Sequence, residues 1–329
     1  MNRHRTAASV LLAAGALVAG VLTAAAPSAA APAPDGQASF RPQHSQGFWT
    51  PERMRSATPL DLTATPGTGG RAVATTGAPV TVAPTAAASP TAVPAAASAS
   101  PTAFPQAGGA WTGGGAVVRT SGRVFFTFGD RTASCSGDSI SSANGSTVIT
   151  AGHCVKYQGN WHTNWIFVPA YANGNAPYGQ WPATKTLATD QWAASEDMNF
   201  DVGFAVVAPQ NGRKLSDVVG AQGITFNGGY SKRMYAFGFP AASPYDGTKL
   251  VYCSGNSGKD FLLTKDHSLG CNMTGGSSGG PWFQDFNEST GLGTQVSVNS
   301  FGYTFLPNRM FGPYFGNEVK ATYDKAVTS

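Results

Sequence analysis

From about residue 108 the chain breaks into apolar runs of five to eight residues, separated by Gly, Asn, Asp and Pro. The runs are GRVFFTF (122–128), STVIT (146–150), NWIFV (164–168), VGFAVV (202–207), KRMYAFGF (232–239), KLVYC (249–253), KDFLL (259–263) and TQVSVNSF (294–301). Segments this short, rich in β-branched and aromatic residues and bounded by turn formers, read as strands. A succession of them is compatible with closed or sandwiched antiparallel sheets. Only 12% of residues are charged and 41 are glycine, which suits a loop-rich all-β protein. One helix is expected, at about 316–327, where Phe315, Val319, Tyr323 and Val327 recur every four residues.

The N-terminal third has a different texture. Arg3, His4 and Arg5 precede an apolar run from Ala7 to Ala26 and then small residues, PSAAAPAP (27–34). That is the order of a secretory signal peptide, 1–31, cut near Ala29–Ala31. No later run reaches the roughly 18 apolar residues that a membrane-spanning helix needs. Residues 32–107 are mostly Ala, Pro, Thr, Ser and Gly. So few large apolar side chains predict a largely disordered pro-segment or linker. Its island FRPQHSQGFWTPERMRSATPLDL (40–62) carries aromatics and Arg that could dock on a folded domain spanning 108–329.

The formal charge of +4 belongs mainly to the leader. Residues 108–329 balance nine Lys and six Arg against eleven Asp and three Glu, with no basic cluster, so nucleic acid is not an expected partner. The four cysteines, 135, 154, 253 and 271, allow three pairings, and separations of 19 and 18 residues favour Cys135–Cys154 and Cys253–Cys271. No C-x-x-C or His/Cys cluster at ligand spacing supports a metal, and no cofactor is expected.

Three stretches carry chemistry. In NMTGGSSGGPWF (272–283) the G-x-S-x-G pattern of a nucleophile turn fits both Ser277 and Ser278. In TAGHC (150–154) His153 directly follows an apolar strand, whereas His162 and His267 carry no such context. In NFDVGFAVV (199–207) Asp201 precedes a strongly apolar strand, where a carboxylate needs donors or a cationic partner. Asp190, Glu196 and Asp197 are rivals in polar surroundings. An α/β-hydrolase would place its histidine after the serine, and none follows Ser278. A subtilisin order would need an acid before His153 on a comparable strand, and Asp130 and Asp138 have none. The remaining order is His153, Asp201, serine.

With these motifs in this order the sequence resembles the trypsin/chymotrypsin-like serine peptidases. FVPAYANGNAPYG (167–179) is similar to secreted bacterial peptidases of the V8-like, glutamyl-endopeptidase-like branch. The resemblance covers about 115–327. It implies two six-stranded antiparallel β-barrels, roughly 115–210 and 220–313, with the active site between them and a C-terminal helix. It implies His153 as general base, Asp201 as its orienting acid and Ser278, directly before Gly-Gly-Pro, as nucleophile. Backbone N–H groups of Gly276 and Ser278 would form the oxyanion hole. The substrate pocket would be lined by Asn272, Met273, Thr274, Asn299, Ser300, Phe301 and Gly302.

Two departures from the family pattern matter. Ser277 stands where trypsin-like members carry an Asp that pairs with the freed N-terminus, so that activation switch is expected to be absent. Asn272, Met273 and Asn299 differ from the trypsin and glutamyl-endopeptidase pockets, which points to an uncharged side chain. The whole reads as a secreted, extracellular, monomeric serine endopeptidase acting on proteins or peptides, free of membrane after signal cleavage. A catalytically silent binding module or a cell-wall-associated protein on the same fold is the alternative; a broken triad would mark the former, and none is broken here.

Overall fold

The computed structural model describes residues 36–39, 45, 47–65, 70–88 and 103–329. The expected signal peptide lies outside them. Six strands make the first barrel: β1 (Ser121–Phe128), β2 (Arg131–Ile140), β3 (Thr147–Thr150), β4 (Thr163–Pro169), β5 (Trp181–Ala188) and β6 (Gly203–Val207). They run in the order β5-β4-β1-β2-β3-β6, and β6 closes on β5. Every residue of β3 and β6 is buried, which explains their continuous apolar sequence. On β1 the alternation is two-sided. Val124, Phe126 and Phe128 join the main core, while Phe125 joins a second cluster with Ile166 and Val168.

The second half contains β7 (Gly223–Phe226), β8 (Arg233–Gly238), β9 (Val251–Asn256), β10 (His267–Gly270), β11 (Pro281–Asn287), β12 (Leu292–Val298), β13 (Phe301–Tyr303) and β14 (Leu306–Gly312). One sheet carries β7-β12-β11-β8-β9 and another β10-β14-β13. The fold is the all-β, chymotrypsin-like one, with a terminal helix α1, Asn317–Val327. This helix buries Val319, Thr322, Tyr323 and Ala326, and Tyr323 Oη donates to Ser141 O at 2.7 Å. The stripe thus faces the barrels, although Phe315 precedes the helix and Val327 is half-buried.

Three expectations need correction. KDFLL is no strand beyond Lys259. The Asp260 carboxylate accepts from Leu262 N, Thr264 N and Thr264 Oγ1, which fixes a turn and leaves Phe261 81% exposed. The boundary at 107/108 cuts through an edge strand, Gln106–Ala110, that pairs with β9. Phe104 also belongs to the folded unit, under the Arg233 guanidinium at 3.5 Å. Finally, the described part of 32–107 is not disordered. Trp49, Met54 and Ala57 are buried in the cluster with Phe125, Ile166, Val168 and Tyr171. Strands Gln37–Ser39, Thr58–Pro59, Thr63–Ala64 and Val80–Val82 extend the sheets. The described leader residues join clusters of the domain, where Trp49, Met54 and Ala57 cover apolar surface that the outward face of β1 and β4 would otherwise expose.

Each disulfide ties a strand to the segment just beyond a neighbouring one: Cys135 on β2 to Cys154 in the turn after β3, and Cys253 on β9 to Cys271, one residue past β10. Each closes a loop of a size that contributes about 3 kcal/mol through the unfolded state.

Asp138 on β2 is fully buried, with Ser121 Oγ donating to its Oδ1 at 3.0 Å, and burial pushes its pKa up to about 8. An acid whose folded pKa is raised leaves the fold unpenalised at low pH, and the penalty grows from about pH 4 up to pH 8. Burial raises Asp266 in the same sense. Stability should therefore fall as pH rises across this window. Asp138→Asn should remove part of that slope in denaturant titrations at pH 4, 6 and 8. An unchanged slope would contradict the assignment.

Candidate functional site

The pairing of β3 with β6 brings the first two residues together. Thr150 lies opposite Gly203, so the turn leaving β3 and the turn entering β6 emerge side by side. His153 sits in the first, a 3-10 turn over Gly152–Cys154, and Asp201 closes the second, after Met198–Phe200. His153 N donates to Asp201 Oδ1 at 2.7 Å, and Nδ1 lies 2.7 Å from Oδ2. Ser300 Oγ, from the other half of the molecule, donates to Oδ2 at 2.5 Å. His153 and Asp201 are both fully buried. The Asp197 carboxylate instead receives Arg71 N and Ala72 N of the leader, and the Asp190 carboxylate, largely exposed, faces Lys325.

His162 and His267 are not part of this cluster's chemistry. Burial lowers both pKa values to about 4, so both are neutral imidazoles in the core. His162 stacks on Phe126 at 4.3 Å, and its Nε2–H donates to His153 O at 2.9 Å, bracing the loop.

The glycine-rich stretch crosses from the second half to the first. Ser278 O accepts from Ser136 N at 2.7 Å, Ser136 Oγ donates to Gly276 O at 2.9 Å, and Phe239 N donates to Ser136 Oγ at 2.8 Å. Ser136 lies on β2, so one small residue joins both halves at the serine loop. Sequence reasoning missed it, because RTASCSGDSI shows no apolar alternation. Gly279 makes the close approach possible. Its φ is +82°, and a Cβ there would lie 2.0 Å from Thr150 Oγ1 and 2.4 Å from Ser136 O.

Ser277 turns inward, with Oγ donating to Thr274 O at 2.8 Å. Among the described residues His153 Nε2 is buried without a hydrogen-bond partner. Gly276 N donates to Leu60 O of the leader at 2.9 Å. A cavity of about 400 Å3 beside it is lined by Asn272, Met273, Thr274 and Gly302, with Arg309 and Asp61 added. Of the other expected lining residues, Asn299 accepts from Trp282 Nε1 and donates to Phe237 O and Ser277 O behind the serine loop. Ser300 faces Asp201, and the Phe301 ring stacks on Phe311 at 5.2 Å. Arg309 had no signal in the sequence, because only the register of β14 brings it to the cavity.

The fold has counterparts among known proteins. The protease Anisep from Arthrobacter nicotinovorans is 46% identical, with a TM-score of 0.61 over 64% of this chain and 96% of that one. The chain belongs to the trypsin/chymotrypsin-like serine peptidases. A thermostable serine protease, AL20, from an extremophilic microorganism is 40% identical at a TM-score of 0.62, covering 65% of this chain and 99% of the other. A Glu endopeptidase structure, 16% identical at a TM-score of 0.51 over 63% and 91%, shares the fold. No family model matches. An extracellular metalloprotease of Bacillus subtilis (strain 168) is 36% identical over 61 residues, 18% of this chain and a fifth of that protein's length.

Like these relatives of the trypsin-like family, the protein is a serine endopeptidase, a hydrolase of peptide substrates. Among the described residues, donor atoms of Cys135, His153 and Cys154 lie within 4.8 Å of one another. Both sulfurs are spent in the disulfide, so that group offers no thiolate to a metal ion. No helix among the described residues is long and apolar enough to cross a membrane.

Gly129 and Gly279 both have positive φ, but a Cβ at Gly129 would touch nothing within 4 Å. Gly129→Ala should cost about 1 kcal/mol of backbone strain. Gly279→Ala should add about 2 kcal/mol of overpacking and displace the serine loop. Thermal unfolding of the pair checks this; equal Tm losses would contradict the close approach.

Proposed function

We propose that Ser278 is the nucleophile of an acyl-enzyme mechanism, with His153 as general base and Asp201 as the acid that orients it. The observation that carries this reading is the two-point grip of Asp201 on His153, through N and Nδ1, each at 2.7 Å. Holding Nδ1–H on the carboxylate leaves Nε2 as the basic nitrogen, ready to take the Ser278 hydroxyl proton and return it to the departing amine. The buried carboxylate stabilises the imidazolium formed on the way. Gly276 N and Ser278 N are the donors for the oxyanion. Gly276 has φ +94°, a backbone closed to most side chains. Loss of one such donor costs on the order of 3 kcal/mol of transition-state stabilisation.

Ser277 has a different task. Its hydroxyl satisfies Thr274 O, and no carboxylate stands at this position to receive a new N-terminus. Activation therefore does not depend on an N-terminal ammonium reaching the serine loop. Residues 1–31 act as the export signal, and 32 to about 102 as a pro-segment removed from a secreted, monomeric enzyme.

Asn272, Met273 and Thr274 at the cavity favour an uncharged primary side chain. Digestion of a peptide library should give cuts after uncharged residues. Ser278→Ala should abolish them, and Ser277→Ala should keep substantial activity. Activity that survives Ser278→Ala would overturn the nucleophile, and cuts confined to Asp and Glu would overturn the pocket reading.

A further inference from the structure

Residues 57–64 read ATPLDLTA and cross the cleft between the barrels. Thr58 and Pro59 lie parallel to Ala133 and Ser134 of β2, and Leu60 N donates to Ser134 O at 2.9 Å. Leu60 O then accepts from Gly276 N. Asp61 lines the cavity beside Asn272, Met273 and Thr274. Beyond it Thr63 and Ala64 lie parallel to Gly302 and Tyr303 of β13. Gly302 N donates to Leu62 O and Thr304 N to Ala64 O, both at 3.4 Å. Leu60, Leu62 and Ala64 are buried.

The direction of this strand decides its role. In acyl transfer the residue whose carbonyl oxygen enters the hole is the one whose side chain fills the specificity pocket. Residues before it extend the acyl side, and residues after it leave with the amine. Here the carbonyl at Gly276 N belongs to Leu60, but the residues of the strand that line the cavity, Asp61 and Thr63, both follow it. The residues before Leu60 run along Ala133–Ser134, and those after it run along β13, which reaches the cavity wall. Acyl side and amine side have exchanged places.

We propose that residues 57–64 are a built-in inhibitor, bound along both backbone rails of the cleft in the direction opposite to a substrate. The strand occupies Gly276 N and the mouth of the cavity, yet presents no bond in the register that Ser278 cleaves. This rests on the assignment of Ser278 and Gly276 made above. The partner that the cleft fits in this mode is an extended peptide with alternating apolar and acidic side chains, Leu-Asp-Leu, held mainly through its main chain. The flanks hold the strand in place. Trp49 Nε1 donates to Asn164 O at 2.6 Å on one side, and Glu318 accepts from Thr75 N and Oγ1 at 3.0 and 2.7 Å on the other. Covalent attachment keeps its effective concentration high. A cut between this segment and the domain turns a tethered strand into a ligand that can dissociate.

The test compares hydrolysis of a short reporter peptide by the uncut full-length protein and by its Leu60→Glu/Leu62→Glu form. The double variant should be faster by about tenfold or more at unchanged length. Adding synthetic ATPLDLTA should restore the slow rate, and mass spectrometry should recover the peptide whole. Equal rates for the two full-length proteins, or cleavage at Leu60–Asp61, would overturn the proposal. Should the variant fail to fold, enzyme processed in its own culture medium takes the same peptide. Competitive inhibition without cleavage supports the reversed strand; no inhibition, or cleavage, refutes it. An enzyme inactive in every form, or active as Ser278→Ala, would instead indict the nucleophile assignment.

Discussion

The carboxylate of Asp201 is fully buried and accepts hydrogen bonds from His153 N, from His153 Nδ1 and from Ser300 Oγ. A buried carboxylate short of such donors would cost several kcal/mol, so these three contacts are close to obligatory. They come from both halves of the molecule. Satisfying one charge therefore fixes the rotamer of His153, the end of the β3–β6 ladder and the placement of β13 against the first barrel. The cavity wall at Gly302 follows from the same anchoring, two residues after Ser300.

A second constraint works at the serine loop. Ser136 offers its N–H to Ser278 O and its hydroxyl to Gly276 O, so the loop is bonded to the first barrel through its backbone. That contact needs a residue without a side chain at 279, since a Cβ there would overlap Thr150 and Ser136. The run of glycines that looks like a linker in sequence is, in the fold, a point of close approach between the barrels. Its shape holds the Gly276 N–H toward the cleft, which the leader now fills with Leu60 O.

Much of this was legible in the residues. Continuous apolar strands such as VIT and GFAVV announce burial on both faces, and an acid or a histidine placed at the end of one stands out against them. Strands built from small polar residues, RTASCSGDSI above all, gave no periodic signal, because Ser and Gly there make room for close packing rather than supply apolar area. Arg309 reaches the cavity only through the β14 register, and Asn299 points behind the serine loop for the same kind of reason. The leader misled differently. Its composition is too poor to bury a core, and that is true, but Trp49, Met54, Leu60 and Leu62 fold against a surface the barrels provide. Composition reports what a segment can do alone, not what it does on a template.

The proposed chemistry needs one serine activated by one histidine, and a serine-directed phosphonylating reagent reads that directly. The processed enzyme should take up a single adduct, located by peptide mass spectrometry on Ser278, and His153→Ala should lose it. An adduct on Ser277, or undiminished labelling of the His153→Ala form, would contradict the account.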